Sequence, residues 1–208
     1  MPGIKACATG DLEELMKFLT DFGDEAVILP LFVVAVIMFV VTGWRRGAIV
    51  WGFGVGLCLA CLVLLKFAGL FWAQQFGVEG RAFSVSGHVA ASTVVYGSLA
   101  NMLLQPRKRS WFLALLPPLL IACVIGYTRL VLHSHTPEEV VSGAVLGILG
   151  ASVINASLPE VPVYLVRFCV PVLLPIVLLF HGSVLEAEPF LQKMFRISYF
   201  SADQSLGW

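Results

Sequence analysis

Apolar residues run through this chain in long stretches, near 26–43, 47–73, 87–104, 111–133, 138–157 and 161–182, each bounded by charges or turn-forming residues. About 17–25 apolar residues are what a helix needs to cross the ~30 Å hydrocarbon core of a bilayer. The pattern therefore predicts six spans joined by mostly short connectors. Residues 11–25 differ, because Leu12, Leu15, Met16 and Leu19 recur at helical spacing among acidic and polar neighbours. Two readings of that segment stand, a helix lying in the membrane interface and a solvated leader. Within the fourth stretch, Pro117-Pro118 is expected to kink the helix.

Composition fixes the class. Of 208 residues, 59% are hydrophobic and 12% charged, and the mean hydropathy is +0.92, too little polar surface to cover a soluble core. The expected fold is all-α, an integral membrane six-helix bundle over residues 26–183 with an N-terminal segment, 1–25, and a C-terminal tail, 184–208. In the tail Phe190, Phe195, Tyr199, Phe200 and Trp208 mix with Lys193 and Arg196, the composition of an interfacial anchor. Thirteen basic and thirteen acidic residues cancel, which removes the argument for nucleic acid and leaves the bilayer as the expected partner. Nothing in the pattern sets an oligomeric state. No basic region precedes a short apolar core and a small-residue cleavage site at the start, so the first span is expected to be retained.

Five cysteines are present, Cys7, Cys58, Cys61, Cys123 and Cys169. Cys58 and Cys61 make a formal CxxC, but inside an apolar helix no polar surroundings lower a thiol pKa. Packing is the expected role.

Orientation follows from the basic loops. Arg45-Arg46 separates the first two spans and Arg107-Lys108-Arg109 the third and fourth, so these loops are expected to be cytoplasmic. The loops at 74–86 and 134–137 then share the opposite face with both termini.

Two polar clusters lie on that shared face, and ionisable groups at a membrane boundary are costly enough to point to function. Ser86-Gly87-His88 opens the third span. Unpaired N–H groups and the positive helix end make such a position an anion site, with a hydroxyl from Ser86 and a proton-exchanging imidazole from His88. An ordinary Ser cap with an interfacial histidine gives the same tripeptide. The second cluster holds Arg129, His133, His135 and Glu139. Thr136, Pro137 and Glu139 form a capping-box pattern that starts the fifth span. The same placement turns the Glu139 carboxylate back toward His135, where it fixes the tautomer and strengthens the other ring nitrogen as a nucleophile. Arg129 supplies a planar fork for phosphate oxygens, or snorkels to the interface.

Together these clusters resemble the type 2 phosphatidic acid phosphatase (PAP2) superfamily of membrane phosphatases. That family carries a Lys with Arg-Pro seven residues on, then Pro-Ser-Gly-His, then Ser-Arg, five residues, His, three residues, Asp. Val85-Ser86-Gly87-His88 is similar to the second motif, and Thr128-Arg129 through His135 to Glu139 is similar to the third. The resemblance covers residues 66–139 directly, with a PAP2-like core. Departures are Val85 for Pro, Thr128 for Ser, Glu139 for Asp, and a first motif reduced to Lys66, with Ala73 where Arg would begin Arg-Pro. Arg81, five residues before Ser86, is the substitute candidate for that guanidinium.

The resemblance implies metal-independent phosphoryl transfer without a cofactor: His135, held by Glu139, as nucleophile, and His88 as acid and then base. Lys66, Arg81, Ser86, Gly87 and Arg129 are implied to bind phosphate. The motif spacing leaves His133 at the rim, and His181 reads as interfacial. A site at headgroup level suits a lipid phosphate such as a polyprenyl pyrophosphate, phosphatidic acid, phosphatidylglycerophosphate, a phosphorylated sphingoid lipid or lipid A. The expected location is a bacterial inner membrane, with the site toward the periplasm. Two alternatives stand: a phosphotransferase with a second lipid as acceptor, and a transporter or haem-binding bundle in which the histidines bind a metal.

Overall fold

The computed structural model describes residues 2–76, 82–104, 111–185, 189–194 and 196–197, with backbone only for 2–10 and 111. Among these residues the fold is all-α, with seven helices: α1 (Pro2–Asp21), α2 (Glu25–Val41), α3 (Arg45–Gln75), α4 (Gly87–Leu104), α5 (Trp111–Val131), α6 (Pro137–Ser157) and α7 (Val163–Phe180). α2 to α7 coincide closely with the six apolar stretches. The seventh is α1, so the N-terminal segment is a helix rather than a solvated leader. A short turn at 22–24 leads into α2, whose first turn is capped by Asp24 through the Ala26 N–H.

Five helical stretches are long and apolar enough to cross a membrane: Asp11–Val41, Arg45–Gln75, Phe112–Val131, Pro137–Ser157 and Val163–Phe180. α4 is not among them because it carries Ser92, Thr93, Ser98 and Asn101, all completely buried. It can carry them because it is the axis of the fold, packed against α5, α6, α3, α2 and α7. Several of these groups are met from within: Ser98 Oγ accepts the Trp51 indole N–H at 2.8 Å and Asn101 Nδ2 donates to the Ala114 carbonyl at 2.8 Å, while Thr93 Oγ1 and Asn101 Oδ1 meet no partner among the described residues. In an apolar medium, satisfied groups of this kind are what a buried helix tolerates.

The tightest packing is between α4 and α6. Gly143, Gly147 and Ala151 of α6 recur one turn apart and let the backbones close, since a Cβ at Gly143 would stand 2.6 Å from the Ser86 carbonyl oxygen and one at Gly147 2.9 Å from that of Ala90. Lipid tails are as apolar as the side chains they meet, so close contact of small residues is the main attraction available between helices. This seam fixes the start of α4 against the start of α6. The CxxC takes part in packing: Cys58 and Cys61 are both free thiols, and Cys58 Sγ donates to the Leu146 carbonyl at 3.7 Å. Arg45-Arg46 lies at the end of the bundle opposite Gly87 and Pro137, whereas Arg107-Lys108-Arg109 falls outside the described residues.

Candidate active site

The chain reverses at the end of α5 through a Schellman turn. The Ser134 N–H bonds the Arg129 carbonyl at 3.1 Å and the His133 N–H that of Leu130 at 3.1 Å, with His133 in the left-handed region at φ 51°. The turn points exposed His133 away and carries His135 back under the bundle rim, where it is 7% exposed. Pro137 and the Thr136/Glu139 capping box then start α6.

Glu139 joins the two polar clusters. Its Oε2 lies 2.8 Å from His135 Nδ1 and accepts the Thr136 N–H at 3.1 Å; its Oε1 accepts the Ser84 N–H at 2.8 Å; and its backbone carbonyl accepts the Ser86 N–H at 3.0 Å. The carboxylate is 2% exposed and both oxygens are used, which suits an ionised group held away from water. With Nδ1 taken, Nε2 is the histidine nitrogen left to react. The additional methylene of Glu compared with Asp is absorbed, since the carboxylate reaches both the imidazole and the 84–86 segment.

A cavity of about 220 Å³ opens beside this pair, lined by Asp24, Glu25, Lys66, Gly87, His88, Arg129, His135, Val184, Leu185 and Pro189. Lys66, Gly87, His88, Arg129 and His135 were expected from the sequence, and four separate segments bring them to this one cavity. Lys66 is buried, 7% exposed, with its Nζ 3.7 Å from where a Gly87 Cβ would stand. Arg129 also donates to Thr20 Oγ1 at 3.3 Å. Ser86 is wholly buried, and among the described residues its Oγ meets no hydrogen-bond partner. Arg81 lies outside the described residues. His181 stands apart, between the Phe18 and Phe22 rings at 4.5 and 4.4 Å, with Nε2 3.0 Å from the Phe18 carbonyl oxygen.

Sequence reasoning missed the acidic wall. Asp24 Oδ2 lies 3.5 Å from His88 Nε2 and Glu25 Oε2 4.0 Å from His88 Nδ1, both from the α1–α2 corner. No spacing rule links that corner to the head of α4; a carboxylate pair placed just before an apolar span was the available signal. Donor atoms of Asp24, Glu25 and His88 lie within 4.8 Å of one another, and Asp24 Oδ1 already accepts the Ala26 and Leu185 N–H groups. The C-terminal tail was also under-read, because Val184, Leu185 and Pro189 close one side of the cavity.

A buried carboxylate–histidine pair, a second histidine, a lysine, an arginine and a helix N-terminus surround one small cavity, an arrangement with the charge to hold an anion and the imidazoles to exchange protons with it. Residues 66–161, which contain all but the α1–α2 corner and the tail, match the model of the PAP2 superfamily. Through this segment the chain resembles the PAP2 superfamily. PAP2 members are phosphatases, which makes phosphoric ester hydrolysis the family-level activity. The uncharacterized 22.5 kDa protein in the cps region of Klebsiella pneumoniae is 28% identical over 197 residues, covering 86% of this chain and 88% of that protein. No solved structure matches the chain. The apolar helices describe an integral membrane protein, and the PAP2 match supports a phosphoric ester hydrolase at the family level.

Proposed function

We propose that the chain is a lipid phosphatase that hydrolyses a phosphomonoester or pyrophosphate at headgroup level through a phosphohistidine on His135, without a metal. The observation that carries this reading is the Glu139–His135 pair at 2.8 Å on the wall of a cavity shared with His88, Lys66 and Arg129. His135 Nε2 attacks phosphorus while His88 gives a proton to the leaving oxygen; water then attacks the phosphohistidine as His88 takes a proton back. Lys66, Arg129, the Ser86 hydroxyl and the N–H groups at the head of α4 hold the equatorial oxygens, with Arg81 as a further donor.

In this proposal α4 is the sixth span, its polar side chains hidden by the helices around it. The six spans form one domain, 26–183, flanked by α1 and the tail. The cavity lies at the end of the bundle away from Arg45-Arg46, which supports a site on the non-cytoplasmic side of a bacterial inner membrane. A lipid fits because the cavity opens at the rim of a bundle whose outer surface is apolar.

The test is phosphate release by detergent-purified protein in EDTA, with polyprenyl pyrophosphate, phosphatidic acid and phosphatidylglycerophosphate as substrates. EDTA-resistant release that vanishes in His135→Ala is expected. Equal release by the variant, or none by the wild type from any of the three, refutes the proposal; release only when a second lipid is added assigns phosphotransfer instead.

A further inference from the structure

The α1–α2 corner is held more firmly than a surface turn needs to be. The Tyr96 hydroxyl donates to the Phe22 carbonyl at 2.8 Å, and the Gly23 backbone lies so close to the first turn of α4 that a Cβ there would stand 3.2 Å from the His88 carbonyl oxygen. Asp24 follows, 3% exposed, with Oδ1 accepting the Ala26 N–H at 2.8 Å and the Leu185 N–H at 3.0 Å. Those two bonds leave Oδ2 aimed at His88 Nε2, 3.5 Å away. The other charged or titratable groups around the ring are Glu25 and Asp21 from the corner, Lys66 from α3, Arg129 from α5 and His135 ahead of α6.

From this geometry we infer that Asp24 is the positioning residue of His88, as Glu139 is of His135. The inference rests on His88 being the proton carrier of the proposed reaction. The Asp24 carboxylate accepts the Nε2–H and keeps that proton in place, so His88 exchanges protons only at Nδ1. In the first step the Nδ1 proton passes to the leaving oxygen as the P–O bond breaks and the His135 Nε2–P bond forms. The leaving oxygen keeps the P–O electron pair, and His88 becomes the neutral Nε2–H tautomer. In the second step the water oxygen bonds phosphorus, the N–P bond breaks and a water proton returns to Nδ1. Glu25, on the Nδ1 side and beside Gly87, occupies ground that a leaving group would take.

Asp24→Asn tests the inference with little disturbance. The amide oxygen still serves the Ala26 and Leu185 N–H groups, so the NH₂ replaces Oδ2 and donates to Nε2, forcing the neutral ring to carry its proton on Nδ1. Nitrogen-15 NMR of histidine-labelled protein in detergent with EDTA reads the tautomer directly, with His88 assigned from its loss in His88→Gln. The wild type is expected to show neutral His88 protonated at Nε2, and Asp24→Asn to show it at Nδ1. With p-nitrophenyl phosphate, whose leaving group departs without a proton, the variant keeps the nitrophenol burst while steady-state turnover falls about 100-fold. A merely structural role would diminish burst and turnover together.

A wild-type His88 protonated at Nδ1, or a tautomer unchanged in Asp24→Asn, overturns the inference even in an active enzyme. A tautomer switch in a wild type that releases phosphate from nothing refutes the phosphatase reading instead and leaves the Asp24–His88 pair standing.

Discussion

Replacing Glu139 by Gln removes one charge and changes almost no volume, yet it cannot be accommodated. Three donors converge on the carboxylate: the Ser84 N–H on Oε1, and the Thr136 N–H and the His135 ring on Oε2. An amide has one acceptor oxygen. If that oxygen serves Ser84, the NH₂ confronts the Thr136 N–H and turns His135 Nδ1 into an acceptor; if it serves Oε2's partners, the NH₂ confronts the Ser84 N–H. A buried donor left without a partner costs about 1–3 kcal/mol, and each charge-assisted bond lost adds about 1.5–3 kcal/mol of its own before relaxation. A stranded donor together with the charge-assisted bonds lost puts the loss expected for Glu139→Gln at about 3–5 kcal/mol. Catalysis suffers further, because the first amide orientation puts the proton of His135 on the nucleophilic Nε2; a drop in turnover on the order of 10³–10⁴ is expected. The assays are thermal unfolding in detergent and phosphate release from the best lipid substrate. A variant that melts within a degree of wild type and keeps a tenth of its turnover would sink both the hydrogen-bond accounting and the nucleophile assignment.

His133→Gly should retain full turnover and gain up to about 1 kcal/mol, since glycine adopts the left-handed C-terminal turn position without the side-chain penalty; loss of activity would reinstate His133 as a candidate nucleophile. Gly143→Ala should cost about 1–3 kcal/mol, read as a lower midpoint of unfolding, and also reduce turnover, because its Cβ would press on the Ser86 carbonyl rather than on a yielding side chain. Cys58→Ala should leave turnover intact in the presence or absence of a reductant, with only a small loss of stability; a redox-dependent rate would contradict a packing role for that thiol. Lys66→Met should retain the fold and lower turnover at least about 100-fold, a loss that Lys66→Arg recovers only partly, because the buried stem fits but the planar fork does not.

The spans were legible because a bilayer imposes a length and a composition on any helix that crosses it, so their limits could be read from charges such as Arg45 and turns such as Ser134 to Pro137. Serines and threonines within 87–104 carried a second message, that this helix is sheathed by others, which only the packing around Ser98 and Asn101 makes plain. His135 and Glu139 were legible as a pair because they flank the cap of α6, where the Thr136/Glu139 capping box turns the carboxylate back toward the residues before the helix. The Ser84 N–H bond to Glu139 was not, since it depends on how close α4 and α6 approach. Asp24 and Glu25 were read only as the end of a segment that is either an interfacial helix or a leader, for the same reason. Their partner, His88, belongs to a different helix, and no periodicity connects them.

The small-residue seam between α4 and α6 also decides where this molecule can move. Backbones close at Gly143 and Gly147, and Glu139 bonded to Ser84 and Ser86, tie α4 with His88 to α6 and the His135 that precedes it, leaving no room between them for a substrate. The opposite wall is attached by separate bonds: Tyr96 to Phe22, His181 to Phe18, and Leu185 to Asp24. In the proposed reaction, a lipid wider than the present opening would enter past the α1–α2 corner and residues 184–185, which these few bonds hold, and not between α4 and α6.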